Sequence, residues 1–417
     1  MEQTKYLVVG SSHAALEAVT AIRMHDAEGS LTLVTRDTLL PYSPTVLPYV
    51  VSGRSAPGDV FLRDEQFFAA NRVDYRRGAA LEALHTGRNA AELADGSEII
   101  YEKVLLATGA APAIPPIPGL DQVKYHVLRT LDDATRLHAA ISQSKHAVVL
   151  GAGLVGMHAA ENLVKAGASV TIVEMAKQLT DGYFDPTAAQ MIEKAFVDNG
   201  ATILTGSRVV KLAPSAVGAT LTLENGKTLE ADLLLVATGV KPNMDFLGDS
   251  GVAHDRGILV GDSMQTSVAN VWAAGDCAQA KSFFSADKVM NSILPDATEQ
   301  GRIAGMAMAG DPGLKHYPGG VPLNTYHFFG RHAISVGSSR LTEGAEVVTR
   351  FDEASGRYLK AIFKDNRLLG IYGVNEFFDG GVMCQLILRR VDLSAVKQRF
   401  LANPLAVGRE LMSKLWR

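Results

Sequence analysis

The sequence predicts an α/β fold built on parallel sheets, because a strand–turn–helix pattern occurs twice and a strand ending in an acidic residue follows later. The first copy, KYLVVGSSHAALEAV, begins at Lys5, and the second, AVVLGAGLVGMHAAENLVKAGASVTIVE, begins at Ala147. In each copy a short apolar run leads into a turn of small residues and then into a helical pattern. The later segment, NVWAAGDCAQA, is an apolar strand that carries Asp276 at its end.

A turn of this kind presents free backbone N–H groups and the positive end of a helix dipole, which together bind a pyrophosphate. Each copy therefore predicts a bound dinucleotide. Two copies suggest two dinucleotides, one of which passes electrons to the other. We expect two Rossmann-like, three-layer dinucleotide-binding domains.

The second copy carries the complete signature. Its three glycines fit G-x-G-x-x-G, and the following strand ends on Glu174. A carboxylate at that point accepts hydrogen bonds from the ribose hydroxyls of NAD and repels the 2′-phosphate of NADP, so NAD is favoured. The candidate NAD contacts in this copy are Gly151, Gly153, Leu154, Val155, Gly156 and Glu174.

The first copy departs from the signature at three positions. Ser12 replaces the second glycine and Ala15 the third, while Thr35 stands where the adenosine-binding acid is expected. The Ser12 side chain keeps the backbone farther from a pyrophosphate, and one ribose contact must come from elsewhere, with Arg36 or Asp37 as candidates. The candidate contacts in this copy are Gly10, Ser11, Ser12, His13, Ala14, Ala15, Thr35 and Arg36.

Five motifs occur in an order that resembles the FAD-dependent pyridine nucleotide-disulfide oxidoreductase superfamily. They are the first turn, LLATGAAP from Leu105, the second turn, LLVATGVKPN from Leu234 and AAGDCAQA from Ala273. The resemblance implies that the first turn binds FAD and the second binds NAD. It further implies that Asp276 binds the flavin ribitol. Two Thr-Gly pairs are implied to lie beside FAD and NAD respectively, namely Thr108-Gly109 and Thr238-Gly239.

The same resemblance implies an FAD-binding domain that is split in sequence by an inserted NAD-binding domain. The expected limits are 1–113 and 243–318 for the FAD-binding domain, 114–242 for the NAD-binding domain and 319–417 for a C-terminal α+β interface domain. In that last domain, two strands joined at Lys364-Asp365-Asn366-Arg367 should precede a helix. In the NAD-binding domain, Asp132 is expected to cap the helix over DATRLHAAI.

Cysteine placement separates the branches of the superfamily. Several branches have a redox-active cysteine where the segment YSPTVLPY of this chain has Thr45. A hydroxyl cannot cycle through thiolate, sulfenate or disulfide, so thiol chemistry at the flavin is excluded. Cys277 and Cys384 are interpreted as buried structural thiols. No residue is predicted to be catalytic, and no Cys/His cluster predicts a metal site.

Without a redox-active cysteine, the chain resembles the NADH-linked ferredoxin and rubredoxin reductases. The turn GSSHAALEA and the segment YSPTVLPY further resemble the NAD-linked flavoprotein subunit of 2-oxoacid:acceptor complexes of the phenylglyoxylate dehydrogenase type. This implies electron transfer between NAD(H) and an iron–sulfur protein or subunit, within a hetero-oligomeric complex. Two alternatives stay open: an NADH oxidase or peroxidase, and a non-catalytic nucleotide-binding redox sensor or structural subunit.

Two positions depart from these reductases. Pro44 stands where they usually place Lys or Arg beside the flavin, and His158 stands where many place a glutamate against the nicotinamide. His158 either takes over that contact or packs between strand and helix. The remaining candidate cofactor contacts are Pro44, Thr45, Leu81, Thr108, Gly109, His158, Thr238, Gly239, Gly275 and Asp276.

The overall composition and charge limit the classes of partner that the chain is expected to bind. The 417 residues are 47% hydrophobic and 20% charged, with a net charge of −4, which argues against nucleic acid as a main partner. No signal sequence and no long apolar run is recognisable, so we expect a cytoplasmic protein without a membrane span. From 386 to 417 the chain carries seven basic and two acidic residues. This basic tail either docks an acidic partner or packs on its own domain.

Overall fold

A computed structural model describes residues 2–339 and 343–415. The helices are α1 (His13–His25), α2 (Leu47–Val51), α3 (Glu65–Ala70), α4 (Leu131–Ile141), α5 (Leu154–Lys165), α6 (Pro186–Asp198), α7 (Leu294–Ala309), α8 (Gly380–Leu388), α9 (Lys397–Ala402) and α10 (Pro404–Leu415). The strands are β1 (Glu2–Val9), β2 (Leu31–Thr35), β3 (Val73–Arg77), β4 (Leu81–His85), β5 (Ala90–Leu93), β6 (Glu98–Leu106), β7 (Ala110–Pro112), β8 (His146–Leu150), β9 (Ser169–Val173), β10 (Thr202–Leu204), β11 (Val209–Pro214), β12 (Ala219–Leu223), β13 (Thr228–Ala231), β14 (Leu233–Val236), β15 (Val240–Pro242), β16 (Ile258–Leu259), β17 (Val271–Ala273), β18 (Ala278–Lys281), β19 (Lys288–Val289), β20 (Leu323–Phe328), β21 (Arg331–Gly337), β22 (Glu346–Asp352), β23 (Arg357–Lys364) and β24 (Arg367–Val374).

The chain forms two compact units, each assembled from separated segments. The first unit comprises Met1–Val46, Ala56–Ala111 and Val240–Gly320. The second unit comprises Leu47–Ser55, Pro112–Gly239 and Val321–Arg417. Each unit contains one of the two glycine-rich turns. The domain limits expected from the sequence stay a prediction.

The first unit is built on a sheet whose central strand is β1. The order is β3-β2-β1-β6, with β17 also beside β6, and these strands are all parallel. β4 and β5 continue the sheet in antiparallel pairing. β2 is buried along its whole length, and β1 and β6 are apolar and buried at their carboxyl-terminal ends, as parallel strands covered on both faces must be. The strand order reverses at β1, so a crevice is expected at the carboxyl ends of β1 and β6.

The second unit repeats this plan with fewer strands. Its parallel sheet has the order β10-β9-β8-β14, and the order reverses at β8. An antiparallel meander of β11, β12 and β13 lies between β10 and β14 in the chain. The crevice of this sheet is therefore expected at the carboxyl ends of β8 and β14.

The rest of the second unit is an antiparallel sheet with the order β20-β21-β24-β23-β22, accompanied by α8, α9 and α10. Asp365 and Asn366 join β23 to β24 with φ of 50° and 56°, the left-handed conformation that a two-residue hairpin of this type requires. The α/β fold with two Rossmann-like sheets and a C-terminal α+β part is thus confirmed.

One local prediction was wrong. α4 is capped by Thr130, whose hydroxyl accepts a hydrogen bond from the backbone N–H of Asp133. The Asp133 carboxylate in turn accepts one from the N–H of Thr130, which completes a capping box. Asp132 lies inside the first turn and pairs with Arg136. Within the described ranges, no helix is both long enough and apolar enough to cross a bilayer.

Candidate functional site

Backbone geometry explains the glycine that opens the first turn. Gly10 has a φ of +113°, and a Cβ there would lie 2.1 Å from the carbonyl oxygen of Ala107. The chain leaving β1 therefore touches the chain leaving β6, and only glycine permits that approach. Thr108 and Gly109 follow directly, so the structure brings these two candidates to the first turn. Leu81, another candidate, begins β4 and packs against the core of this unit.

The helices that follow the two turns leave their N-termini open. α1 and α5 begin after Ser12 and Gly153, and neither residue caps its helix with a side chain. By contrast α3, α4, α6 and α8 are capped by Asp64, Thr130, Asp185 and Asp379. The first N–H groups of α1 and α5 thus point into the two turns as donors, which suits a pyrophosphate at each.

Thr35 uses its hydroxyl within the first turn. The Ser11 hydroxyl donates to Thr35 Oγ1 over 3.2 Å, and the Asp37 N–H donates to the same oxygen over 3.3 Å. The Asp37 carboxylate accepts hydrogen bonds from the Tyr42 hydroxyl and the Leu39 N–H. Of the two substitutes considered for the missing acid, Asp37 is therefore already engaged, whereas Arg36 is exposed.

A chain of hydrogen bonds joins the first turn to the segment that carries Thr45. His13 Nε2 lies 2.8 Å from Ser43 Oγ, which lies 2.7 Å from Thr45 Oγ1. Pro44 and Thr45 form a short 3-10 turn beside them. Burial lowers the pKa of His13, the Arg63 guanidinium lowers it further, and Asp276 acts in the opposite direction.

The acidic motif packs on the first turn through small residues. Gly275 has a φ of +79°, and a Cβ there would lie 3.3 Å from the Cβ of Ala14. On α7, a Cβ at Gly301 would lie 2.1 Å from the Ala14 carbonyl oxygen, so α7 and α1 are in close contact. Asp276 and the first turn therefore belong to one site. The residues present fit FAD, with a donor-lined turn and a carboxylate beside it.

Four residues of this site were missed by reasoning from the sequence, namely Ser43, Gln300, Asn243 and Gly301. Gln300 Oε1 accepts a hydrogen bond from the Gly275 N–H over 2.9 Å. Asn243 exchanges hydrogen bonds with Thr108 in both directions, each 2.8 Å long. Asn243 is the last residue of the motif LLVATGVKPN, in which only the Thr-Gly pair was predicted to lie at a cofactor. Gly301 of α7 lies four residues before a second glycine, Gly305.

A buried carboxyl group follows at the start of α7. Asp296 accepts one hydrogen bond from the Asn291 side-chain amide, and burial raises the pKa of its carboxyl group to about 6. An acid whose pKa is higher in the folded state than in the unfolded state destabilises the fold as pH rises between those two values. Asp296 therefore lowers stability at neutral pH.

We expect Asp296→Asn to stabilise the FAD-loaded protein above pH 6, by about 1 to 3 kcal/mol, because each pKa unit corresponds to roughly 1.4 kcal/mol. The gain should appear as pH rises past the carboxyl group's ordinary pKa of 3.8 and level off near 6. Denaturant midpoints across this range measure it. A gain that did not depend on pH would contradict the assignment.

The second turn has the geometry that its glycines predict. Gly151 has a φ of +100°, and a Cβ there would lie 2.4 Å from the Ala237 carbonyl oxygen. A Cβ at Gly156 would lie 2.1 Å from the Gly151 carbonyl oxygen, whereas one at Gly153 would project into open space. Gly151 and Gly156 thus serve chain packing, and Gly153 leaves room for a ligand. Leu154 and Val155, the latter exposed, open α5.

Glu174 lies against this turn. Its two carboxylate oxygens accept hydrogen bonds from the N–H groups of Ala152 and Ala176, each 2.7 Å long. Both bonds fix the orientation of the carboxylate and leave further lone pairs for ribose hydroxyls. At the end of β14, the Thr238 hydroxyl donates to the Ala113 carbonyl, and Gly239 has a φ of +107°. The second turn therefore fits NAD.

His158 packs against an aromatic side chain. Its ring meets Tyr326 edge-on, with centroids 4.7 Å apart, and Tyr326 stacks on Phe328. Burial lowers the pKa of His158, and Glu161 partly offsets this effect. The imidazole is therefore neutral at pH 7. The packing alternative is seen directly, and contact with nicotinamide stays a prediction.

Both cysteines lie in the described residues, and neither forms a disulfide. Cys277 is fully buried, its sulfur lies 3.3 Å from the Leu106 carbonyl oxygen, and burial raises the pKa of its thiol. Cys384 is only half-buried on α8, so the expectation that it is buried was wrong. Among described residues, His85, Glu92 and Glu98 form the one group with metal-ligand spacing, and it lies at the surface. Glu98 is already paired with Arg88.

The chain is similar to known oxidoreductases in sequence and in fold. The NADH-dependent phenylglyoxylate dehydrogenase subunit epsilon of Aromatoleum evansii is 74% identical, over 100% of this chain and 99% of that protein. The rubredoxin-NAD(+) reductase of Pseudomonas putida is 26% identical, over 73% of this chain and 80% of that protein. The crystal structure of the ferredoxin reductase for the CYP199A2 system from Rhodopseudomonas palustris superposes with a TM-score of 0.81 at 27% identity, covering 89% and 91% of the chains.

The family model described as pyridine nucleotide-disulphide oxidoreductase matches residues 4–303. That range contains both turns, both Thr-Gly pairs and the acidic motif. The resemblance inferred from the motifs is thereby confirmed, with FAD and NAD as the cofactors. The chain belongs to the pyridine nucleotide-disulphide oxidoreductase family and is an FAD-dependent NAD(H):acceptor oxidoreductase.

Proposed function

We propose that this chain transfers electrons between NAD(H) and an iron–sulfur protein or subunit through FAD, without a redox-active cysteine. The observation that carries the proposal is Thr45. Its hydroxyl is hydrogen-bonded to Ser43, at the position where thiol-dependent branches of the family have their cysteine. The flavin must then pass its electrons directly to an external acceptor, because position 45 offers no thiol to receive them.

We further propose that the chain is the electron-transfer subunit of a larger dehydrogenase complex in the cytoplasm. Support comes from the relative in Aromatoleum evansii, which is named as one subunit of such a complex and matches this chain over its full length. The ferredoxin and rubredoxin reductases among the relatives support an iron–sulfur acceptor. Electron flow takes the direction that the partner's reduction potential sets.

The proposed cofactor contacts fall into two groups, one in each unit. In the first unit, FAD is assigned to Gly10, Ser11, Ser12, His13, Ala14, Ala15, Thr35, Arg36, Pro44, Thr45, Leu81, Thr108, Gly109, Gly275 and Asp276. In the second unit, NAD is assigned to Gly151, Gly153, Leu154, Val155, Gly156, His158, Glu174, Thr238 and Gly239.

Anaerobic half-reactions test the function. NADH should bleach the bound FAD, and a ferredoxin-type protein should then restore its absorbance, while oxygen uptake by the isolated chain stays slow. Fast oxygen uptake would favour an NADH oxidase, and FAD that NADH does not bleach would favour a redox sensor or structural subunit. Proteins that copurify from the native source identify the complex.

Turnover should need no thiol. We expect a Cys277→Ser/Cys384→Ser double variant to keep most of its NADH:dye reductase activity, because neither sulfur is proposed to exchange electrons. The serine hydroxyl at 277 can donate to the carbonyl oxygens that the thiol contacts now. Activity is measured in FAD-loaded protein before and after thiol alkylation. Complete loss in a folded, FAD-loaded double variant would contradict the proposal.

The basic tail was left open between docking and packing. α10 packs closely on α8, since a Cβ at Gly408 would lie 2.7 Å from Cε of Met383, and Val407 and Met412 are buried. Leu405 and Leu411 of the same helix are half-buried. Trp416 and the side chain of Leu415 lie outside the described residues. Packing is therefore seen, and docking stays a proposal for the charged face.

That face includes Arg409 and Lys414, both largely exposed. We expect Arg409→Ala/Lys414→Ala to slow association with an acidic iron–sulfur partner about two- to tenfold at low salt, because exposed charges steer encounter. High salt should remove the difference, since it screens exposed charges. A Lys211→Ala/Lys227→Ala variant loses the same charge elsewhere. Equal slowing in both variants would remove the tail from the docking surface.

A further inference from the structure

A three-residue hydrogen-bond chain in the first unit is not explained by cofactor binding alone. It runs from His13, the first residue of α1, through Ser43 to Thr45. Ser43 is buried, His13 is half-buried and Thr45 is exposed. The chain therefore has a sealed middle and two accessible ends, the form that a path for protons requires.

The tautomer of His13 and the single hydrogen of the Ser43 hydroxyl together determine the direction of the hydrogen bonds in this chain. The Ser43 hydroxyl has one hydrogen, while its oxygen can accept two hydrogen bonds. When His13 is neutral with Nε2 as acceptor, Ser43 donates to it and must accept from Thr45. The Thr45 N–H, 3.4 Å away, also points to the Ser43 oxygen. Thr45 then turns its lone pairs outward.

Protonation of His13 reverses every bond in the chain. An Nε2–H donates to Ser43, the Ser43 hydrogen turns to Thr45, and the Thr45 hydrogen points outward. For the tautomer in which neutral Nε2 is the acceptor, the charge on His13 decides whether the Thr45 hydroxyl accepts or donates at its open end. When the Thr45 hydroxyl takes up a proton, successive transfers along the two hydrogen bonds, 2.7 and 2.8 Å long, place a proton on the His13 imidazole.

Electron transfer by this protein leaves a proton to be moved. Each NADH that delivers two electrons becomes NAD⁺ and releases one proton, and an iron–sulfur acceptor takes the electrons without the proton. We propose that Thr45, Ser43 and His13 form a relay that carries this proton from the FAD site to the imidazole. In the direction of NAD⁺ reduction, the same relay supplies the proton. This inference rests on the proposed function and the proposed FAD site.

The surroundings of His13 suit an acceptor that does not keep its proton. Burial and the Arg63 guanidinium lower the pKa of His13, so the imidazole is neutral at pH 7 and passes a bound proton on to solvent. The Asp276 carboxylate raises the pKa of His13 and so opposes these two effects, which allows the imidazole to be protonated during the transfer. The charged groups that act on the imidazole are Arg63 and Asp276, and its hydrogen-bond partner is the uncharged Ser43.

Matched variants in FAD-loaded protein test the relay. Thr45→Ser keeps a hydroxyl, Thr45→Val removes it at nearly equal volume, Ser43→Ala breaks the middle and His13→Gln removes the titrating group. His316→Gln, at an exposed histidine, is the control. NADH-reduced protein is mixed with a one-electron acceptor, and the rate of reoxidation is followed against pH and in deuterated water. The pKa of His13 is measured separately by nitrogen-15 NMR.

In the wild type we expect reoxidation to slow as pH falls through the His13 pKa found by NMR, because a protonated imidazole cannot accept. This inflection and the solvent isotope effect should survive in Thr45→Ser and His316→Gln. In Thr45→Val, His13 should still titrate while the inflection in the rate disappears. The rate at pH 7 should fall about 100-fold or more, as for loss of a positioned proton acceptor.

The outcomes distinguish a failure of the proposed relay from a failure of the proposed function. If NADH bleaches the FAD and the inflection survives in both Thr45→Val and Ser43→Ala, the relay is wrong and the function stands. If NADH does not bleach the FAD, the function fails, and NMR decides the relay. In that case an unchanged His13 pKa and Nε2 shift in Ser43→Ala would overturn the hydrogen-bond chain itself.

Discussion

The Asp276→Ala protein is expected to purify largely without FAD. Removing the carboxylate would leave a flavin ribitol hydroxyl without its partner, at a cost of about 1 to 3 kcal/mol, or roughly five- to 150-fold in affinity. The first turn can compensate little for this loss of FAD affinity, because Ser12 stands in place of a glycine and Thr35 in place of the ribose-binding acid. We expect this loss to convert most of the protein to the FAD-free form.

Flavin absorbance per chain after desalting measures the occupancy. Asp262→Ala is a suitable control, because Asp262 lies in the same unit, is partly exposed and pairs with Lys281 at the surface. That variant loses the same charge and should keep its FAD. Full occupancy in Asp276→Ala would remove Asp276 from the flavin site.

A preference for NADH over NADPH is expected from Glu174, on the order of a hundredfold or more in kcat/KM. The carboxylate is held against the second turn by the N–H groups of Ala152 and Ala176, so a 2′-phosphate would meet a fixed negative charge. Glu174→Arg should erode the preference by removing the ribose acceptor and supplying a cation for the phosphate.

Glu174→Gln separates the two causes. Its amide oxygen can still accept a hydrogen bond from one N–H, while the negative charge is gone. We expect an intermediate preference, with NADPH gaining more than NADH loses. Steady-state kinetics with both cofactors measure this for each variant. Equal efficiency with NADH and NADPH in the wild type would refute the assignment of Glu174.

The parts of the site that were predictable have local causes. Gly10 and Gly151 each follow an apolar strand, and each adopts a positive φ that glycine allows. Parallel strands end at the same edge of a sheet, so the residues after β6 and β17 had to join those after β1. The sequence also contained the signal for the true N-cap of α4, because Thr130 and Asp133 have capping-box spacing.

The parts that were missed depend on tertiary packing. The bond between Gln300 and Gly275 joins residues 25 apart in sequence, and that between His13 and Ser43 joins residues 30 apart. Neither pair belongs to a motif with fixed spacing. The contact of His158 with Tyr326 likewise requires β20 to lie beside α5. No periodicity in the sequence specifies such an arrangement.

The contact between α1 and α7 has a consequence for how the protein is made. The ribosome releases α1 early, but its partner helix ends only at Ala309, and Gly275 and Asp276 come shortly before that helix. Domains made of one continuous segment can fold as they emerge, whereas contacts between distant segments must wait for the later one. The first turn therefore stays incomplete through most of synthesis, and FAD can be incorporated only near its end. Truncated chains that stop before α7 should emerge without flavin, whatever the supply in the cell.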